Sequence, residues 1–346
     1  MATPRPTRVA PSATPRPSRA AERRARQVGE ARAQRRIYLI AGAVGILVAA
    51  TVIAGLLLTV VLPPRAAVVT VGSKTLRASD LAERAKFAAV AESGVAASNP
   101  ATVIPTLIRE ETLRQRAGEL GVSVSDEDLT REVRRRVGSP EDQSETDFRA
   151  AYDRFMERLP ISRDTFEEIV RVSLLRTKVV DAFKAQAGEK GPQLHLLAVG
   201  TQDRAKLDEM KAAVASGKDF KEEAVARGLV KEAGQTDLQW FDPQSLPARV
   251  AVAKDLQARQ TSDVFMDDQT GGYILVQVAE RSEDRPYDDA VKAQIANRLF
   301  DGWIKAQEEA LAGEPSFTGS AKSWVGRQVK DAVAEASRRA QQQASR

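Results

Sequence analysis

No position from Ile37 to Leu62 is charged, whereas residues 1–36 are dominated by Arg, Pro and Ala. An apolar run of this length predicts one bilayer-spanning helix, because about 20 apolar residues suffice to cross the hydrocarbon core. Pro63, Pro64 and Arg65 close the run. Arg23, Arg24, Arg26, Arg32, Arg35 and Arg36 precede it, and only Arg65 follows closely. The positive-inside bias then puts the N-terminus in the cytoplasm and everything after Leu62 outside. A cleaved signal peptide is the competing reading. Its apolar core is usually about 7–15 residues, and Val60–Pro64 offers no small-x-small cleavage pattern, so an uncleaved anchor is expected. Residues 1–36 repeat Thr-Pro-Arg-Pro at 3–6 and 14–17, a composition that buries no core and predicts a disordered basic tail.

Beyond the anchor the periodicity is mainly helical. Ala66–Gly72 reads as a short strand, with Val68, Val69 and Val71 as β-branched bulk. Ser79 is a cap candidate for a helix reaching Ala91, and Asn99-Pro100 opens another that Gly121 ends. Ile104, Leu107, Ile108, Leu113, Ala117 and Leu120 form its apolar stripe. Ser125 with Asp128 has capping-box spacing and opens 126–137. Two further helices are expected near 147–159 and 163–187, after a polar loop at 138–145. The section 66–187 is thus one strand and about five helices, completed by an amphipathic helix at 288–311 with Val291, Ile295, Leu299, Trp303 and Ile304 on one face.

Between these helices the pattern changes. Over 192–283, strand candidates lie at 194–199, 237–241, 261–266 and 272–279, with helices at 203–216, 220–227 and 247–256. This order describes a small α/β domain, and the whole chain reads as α+β. The last stretch, 313–346, carries weak helical periodicity at Trp324, Val325, Val329 and Val333 and reads as a mobile basic tail.

Charge and composition narrow the chemistry. The chain has 346 residues, a net charge of +5, no cysteine and one histidine, His195. Disulfides, cysteine nucleophiles and multi-histidine metal sites are excluded; neither a metal nor another cofactor is expected. The positive charge is concentrated at the ends, +8 over residues 1–36 and +4 over 321–346, leaving the folded section acidic. That distribution argues for a topology signal and attraction to anionic lipid headgroups, and against nucleic-acid binding. No phosphate loop or small-molecule site is visible.

The α/β section resembles a parvulin-type peptidyl-prolyl isomerase. The matching pieces are Leu194-His195-Leu196-Leu197, Gly217-Lys218-Asp219-Phe220 with Ala224, Asp237-Leu238-Gln239-Trp240-Phe241, Leu246 with Val250, Thr261-Ser262, and Gly272 through Val278. The preceding section resembles the N-terminal chaperone domain of the SurA, PrsA and PpiD family, through Val69–Leu76 with Ser79-Asp80-Leu81, and Leu107–Glu111 with Ala117–Val124. PpiD-like members hang from one N-terminal transmembrane helix, as expected here. PrsA-like members use a lipidated cysteine, which this chain lacks.

The resemblance implies a membrane-anchored extracytoplasmic foldase acting on unfolded or nascent exported polypeptides. An isomerase must lower a barrier near 20 kcal/mol that amide resonance sets. It needs a shaped apolar pocket and groups that favour the twisted amide. Carried over by position, the family's first histidine is His195, the candidate catalytic residue. The pocket falls on Leu238, Leu246 and Val250, with Phe265 and Met266 beside them. The family's second histidine falls on Ile274, its Cys or Asp near Gly228-Leu229, and its paired glycines on Gln235-Thr236. Isomerisation is therefore expected to be weak or absent, leaving an apolar groove that grips. Each residue also has a plainer role: His195 as a hydrogen-bonded structural histidine, Asp237 as a turn cap, and Trp240, Phe241, Leu246 and Val250 as core. The alternatives are a holdase whose parvulin domain only binds, and a membrane scaffold that docks one envelope partner.

Overall fold

The computed structural model describes residues 45–53, 55–92 and 94–344. The chain divides at Pro63/Pro64 into two units. In the first, residues 45–53 are α-helical and Leu57–Val61 form a π-helical turn. Ile46, Leu47, Val48, Val52, Ile53, Leu56, Leu57 and Val60 are all exposed. Among the described residues no helix is long and apolar enough to cross a membrane. The expected span at 37–62 begins outside the described residues, and the expected tail at 1–36 lies wholly outside them.

The second unit opens with a hairpin, β1 (Ala67–Val71) and β2 (Lys74–Arg77), where the sequence pattern suggested a single strand. Lys74–Arg77 carries too little apolar character to be read as a strand, and its pairing with β1 decides the matter. Helices α1 (Ala78–Ala91), α2 (Ile104–Arg116), α3 (Asp126–Val137), α4 (Glu145–Met156) and α5 (Arg163–Gln186) follow. Their boundaries follow local chemistry. Ser125 Oγ accepts from the Asp128 amide while Asp128 reaches back to the Ser125 N–H, and Gly138 ends α3 in the left-handed region at φ 73°. Ser144 and Ser162 cap α4 and α5 by accepting the Asp147 and Thr165 amides, so α4 starts two residues earlier than its apolar stripe suggested. The helix expected from Asn99 to Gly121 is instead α2 flanked by 3-10 turns at Pro100–Val103 and Ala117–Leu120.

The chain then leaves the helices, builds a sheet and returns. Strands β3 (Lys190–Thr201), β4 (Asp237–Phe241), β5 (Phe265–Asp267) and β6 (Gly272–Pro286) form one sheet in the order β4-β3-β6-β5. Every pairing is antiparallel, so this module is α+β in its own right. Helices α6 (Arg204–Ala215) and α7 (Phe220–Ala226) cover one face, where Leu207, Met210, Phe220 and Ala224 pack on Leu197, Val199 and Leu275. On the other face a 3-10 helix, Ala248–Asp255, stands where an α-helix was expected. It places Val250 and Ala253 against Leu194, Leu196, Ile274, Val276 and Val278. The expected strand at 261–266 shortens to β5 plus an isolated bridge at Thr261. Buried Ser262 interrupts it: its N–H donates to the Val276 carbonyl (2.8 Å) and its Oγ accepts the Val276 N–H (3.1 Å).

Helix α8 (Asp289–Leu311) runs back into the helical core, where Ala296, Phe300 and Ile304 pack with Leu113, Val172, Val179 and Phe183. The chain then passes along β1: Gly72 N–H donates to Leu311 O, Gly313 N–H to Thr70 O and Ser316 N–H to Val68 O, at 2.7–2.9 Å. The final stretch corrects an expectation. It is a 26-residue helix, α9 (Gly319–Ala344), and not a mobile tail. Ala321, Val325, Val329 and Ala332 are buried, and the first three share a core with β1, β2 and α1. The periodicity looked weak because small residues suffice where α9 lies close to the alanine-rich α1. Substituting Val329→Asp should cost about 3–5 kcal/mol, as an unpaired charge in a core does, with a matching drop in the urea midpoint. An unchanged midpoint would return α9 to the status of an appendage.

Candidate functional site

The residues singled out by sequence divide between the two faces of the sheet. Along β3 the side chains alternate: Leu194, Leu196 and Ala198 enter one apolar cluster, Leu197 and Val199 the other. His195 falls on the α6/α7 face. Leu238, Leu246 and Phe265 pack half-buried on the opposite face against Val250 and Ile274. Met266 is 56% exposed and outside that cluster. Leu229, where the family carries a polar group, joins the apolar packing on the α6/α7 face. The fold therefore brings Leu238, Leu246, Val250, Phe265 and Ile274 together but does not bring His195 to them.

A bulge in β4 organises the surroundings of His195. The register runs His195↔Trp240 and then Leu197↔Asp237, so β4 holds one residue more than β3. Gln239 takes up the excess at φ 70°, a conformation that residues other than glycine seldom adopt. Asp237 and Trp240 consequently emerge on the same face, on either side of the imidazole. His195 Nε2 and Asp237 Oδ1 are 2.8 Å apart. Asp237 Oδ1 also accepts the Gln239 N–H at 2.9 Å, and Lys221 Nζ of α7 donates to Oδ2 at 3.2 Å. The imidazole stacks on Trp240 with centroids 5.1 Å apart and planes 18° from parallel. Arg285 sits over the same indole at 3.9 Å. Burial works to raise the Asp237 carboxyl, but the Gln239 amide, His195 and Lys221 outweigh it and hold it below the usual carboxylate value.

The opposite face carries an open cavity of about 380 Å³, lined by Ala198, Leu238, Ile274, Tyr273, Arg249 and Asp267 among others. It offers apolar walls and a polar rim but no imidazole. Sequence reasoning missed Lys221 and Arg285. No local pattern marks either one, since Lys221 arrives from α7 and Arg285 from the far end of β6. Trp240 was readable only as core. Among the described residues no cluster of carboxylates and histidine could hold a metal ion.

A family model described as a SurA-like N-terminal domain matches residues 31–180. This chain carries a SurA-like N-terminal domain. The resemblance to SurA/PrsA-type foldases read from the residues is thereby borne out. In the described structure the SurA-like domain comprises the β1–β2 hairpin and α1 to most of α5, with α8 and α9 packed onto it. The chain is also similar to several solved structures. The peptidylprolyl isomerase PrsA from Bacillus anthracis is 16% identical, with a TM-score of 0.36, covering 67% of this chain and 95% of that one. The foldase PrsA from Streptococcus pneumoniae is 15% identical, with a TM-score of 0.33, covering 77% and 94%. One of the two structurally related SurA-like chaperones of Campylobacter jejuni, PEB4 and Cj1289, is 13% identical, with a TM-score of 0.26, covering 71% and 92%. No curated protein matches the sequence.

The Asp237 cluster makes a pH-dependent prediction. A carboxyl whose folded pKa is depressed contributes its stabilisation in full above the ordinary value near about 4, and loses it as pH falls through the folded value. Asp237→Asn should cost about 1–3 kcal/mol at neutral pH. The gap from wild type in urea unfolding should stay level down to about pH 5 and then close below about pH 4. A gap that persists unchanged into acid would mean that these donors do not hold the carboxylate.

Proposed function

We propose that the protein is a membrane-anchored extracytoplasmic foldase whose main work is to hold unfolded exported polypeptides, with weak peptidyl-prolyl isomerisation. The SurA-like match over 31–180 supports the chaperone half of this reading. The anchor is supported by the uncharged run at 37–62, by its arginine-rich approach, and by the row of exposed apolar side chains from Ile46 to Val60.

One observation favours holding over rotation. In this reading the α+β module is of the parvulin type, and rotation about an X–Pro bond would need the proline ring and the imidazole at one place. Here the apolar residues Leu238, Leu246, Val250 and Ile274 lie on one face of the sheet. His195 lies on the other, bonded to Asp237 and stacked on Trp240. Ile274 stands where a second imidazole would be needed. What remains is the open cavity at Leu238 and Ile274, with apolar walls and a polar rim, and concave, mostly apolar sites of this kind are where ligands bind.

The test uses the full chain in detergent micelles and two clients, one that aggregates without proline-limited steps and one whose refolding is limited by an X–Pro bond. Aggregation should be suppressed, and the slow refolding phase should accelerate little, with no difference between wild type and His195→Ala. A strong acceleration abolished by His195→Ala would overturn the proposal of weak isomerisation. The anchor is tested separately by the double substitution Val48→Asp with Val52→Asp. Each carboxylate at the centre of a span costs about 2.5–3.5 kcal/mol, so the variant should leave the membrane fraction under alkaline extraction. Full retention would rule out the span.

A further inference from the structure

Within the SurA-like domain a cavity of about 390 Å³ opens between α1, α2, α3 and α5. Its apolar wall is Phe87, Pro105, Leu113, Ile169 and Val172, and its charged lining is four arginines, Arg84, Arg109, Arg136 and Arg176, against Glu92 and Glu110. Both glutamates are engaged by Arg84, whose Nε bonds Glu110 and whose Nη2 bonds Glu92, each at 2.9 Å. Arg84 is 7% exposed, and its remaining nitrogen, Nη1, is buried with no hydrogen-bond partner. A guanidinium donor taken out of water and left unpaired costs free energy that an incoming acceptor would recover.

The other arginines are not equally committed. Arg109 pairs with Glu308 at 2.9 Å. Arg136 shares Glu132 with Arg135 and also bonds Ser173 Oγ. Arg176 lies over the Phe300 ring at 5.2 Å, and among the described residues no carboxylate pairs with it. Arg84 thus brings a buried nitrogen without a hydrogen-bond partner to the wall between two cavities, and Arg176 brings to this one a guanidinium that no carboxylate pairs with among the described residues. A second cavity, on the side of Arg84 towards β2, is lined by Asp80, Glu83, Glu110, Asp164 and Glu168 together with Lys74 and Arg114, an acidic balance that suits an anion less well. The two sides of one buried arginine differ in sign, and the first better suits a negatively charged guest.

We propose that this α1/α2/α3/α5 cavity is a client subsite that takes a carboxylate adjacent to a large apolar side chain, with Arg84 Nη1 and Arg176 as its donors. The subsite rests on the reading of the protein as a binder of unfolded chains and adds the chemistry that the reading lacks. A carboxylate of this kind has two sources, the free C-terminus of a polypeptide or an Asp or Glu side chain within it. Arginine suits both, because its planar donors match the carboxylate oxygens.

The test measures binding of three fluorescent peptides to the full chain in detergent micelles. They share one apolar, aromatic-containing sequence and end as a free acid, as an amide, or as an amide with one internal Glu. Charge-assisted pairing in a partly dry site should favour the free acid over the plain amide by about tenfold. Arg176→Gln, at an exposed position, should shrink that preference severalfold. If the Glu-containing amide matches the free acid, a side chain serves as well as a terminus. If it matches the plain amide, the subsite reads chain ends. Either result upholds the carboxylate subsite. Equal binding of acid and amide, or a preference that Arg176→Gln leaves intact, would overturn it while the client-holding role stands. Failure to bind any of the three, with no suppression of client aggregation, would overturn both. Arg84→Met, checked for folding by its urea transition, provides a second variant that should also remove the preference.

Discussion

The pairing of β3 with β6 is the constraint on which the rest of the second unit depends. It begins where the chain leaves the helices and ends where it returns: Lys190 lies opposite Pro286, and Tyr287 N–H donates to Glu189 O at 2.9 Å. Buried Gln193 fastens the ribbon from within, its Nε2 reaching the carbonyls of Arg285 and Pro286 at 2.9 and 3.1 Å. A Cβ at Gly191 would stand 2.0 Å from the Tyr287 hydroxyl, so any larger residue there would displace the tyrosine. A module of nearly a hundred residues is thus a closed excursion whose two ends are side by side. That closure delivers α8 beside α5, where Phe300 and Ile304 complete a core that α2 and α5 only half enclose. Burying each such side chain contributes about 1.5–3 kcal/mol, and ion pairs from Lys184 to Asp289 and Lys292 to Glu189 flank the junction.

Helix α8 couples the two modules more directly as well. Gln294 donates to the Trp240 carbonyl and accepts the Asp242 N–H, and Arg298 pairs with Asp242. The strand that carries Asp237 and Trp240 is therefore held by a helix belonging to the SurA-like core. Beyond α8 the chain lies along the free edge of β1 and ends in α9. An exposed edge would invite pairing with other chains. The returning segment, Leu311 to Ser316, bonds along that edge and removes it.

The candidate sites follow from two different kinds of order. Strand alternation separates His195 from the apolar residues that sequence places beside it, because residues one apart on a regular strand face opposite ways. The bulge at Gln239 reunites Asp237 with Trp240, because an extra residue restores two positions three apart to the same face. The imidazole is left orientated by a carboxylate and covered by an indole, an arrangement well suited to fixing β3 on β4. In the helical module the charged lining arises from helix packing, with α1, α2, α3 and α5 each contributing an arginine at the same opening.

Much of this architecture was legible in the sequence because its causes are local. Ser125 with Asp128 marks a helix start by supplying an acceptor to a free amide, and Gly138 marks its end by accepting positive φ. The alternation from Leu194 to Val199 placed a strand. What stayed hidden depends on partners far along the chain. Lys74–Arg77 is a strand only because β1 lies beside it. Gly319–Ala344 is ordered because α1 offers a close-packed alanine face, so small side chains suffice where sequence expects larger ones. The face on which His195 points, the bulge that gathers Asp237 and Trp240, and the unpaired nitrogen of Arg84 were decided by tertiary structure, since each requires segments tens of residues apart to meet in a register that no single segment encodes.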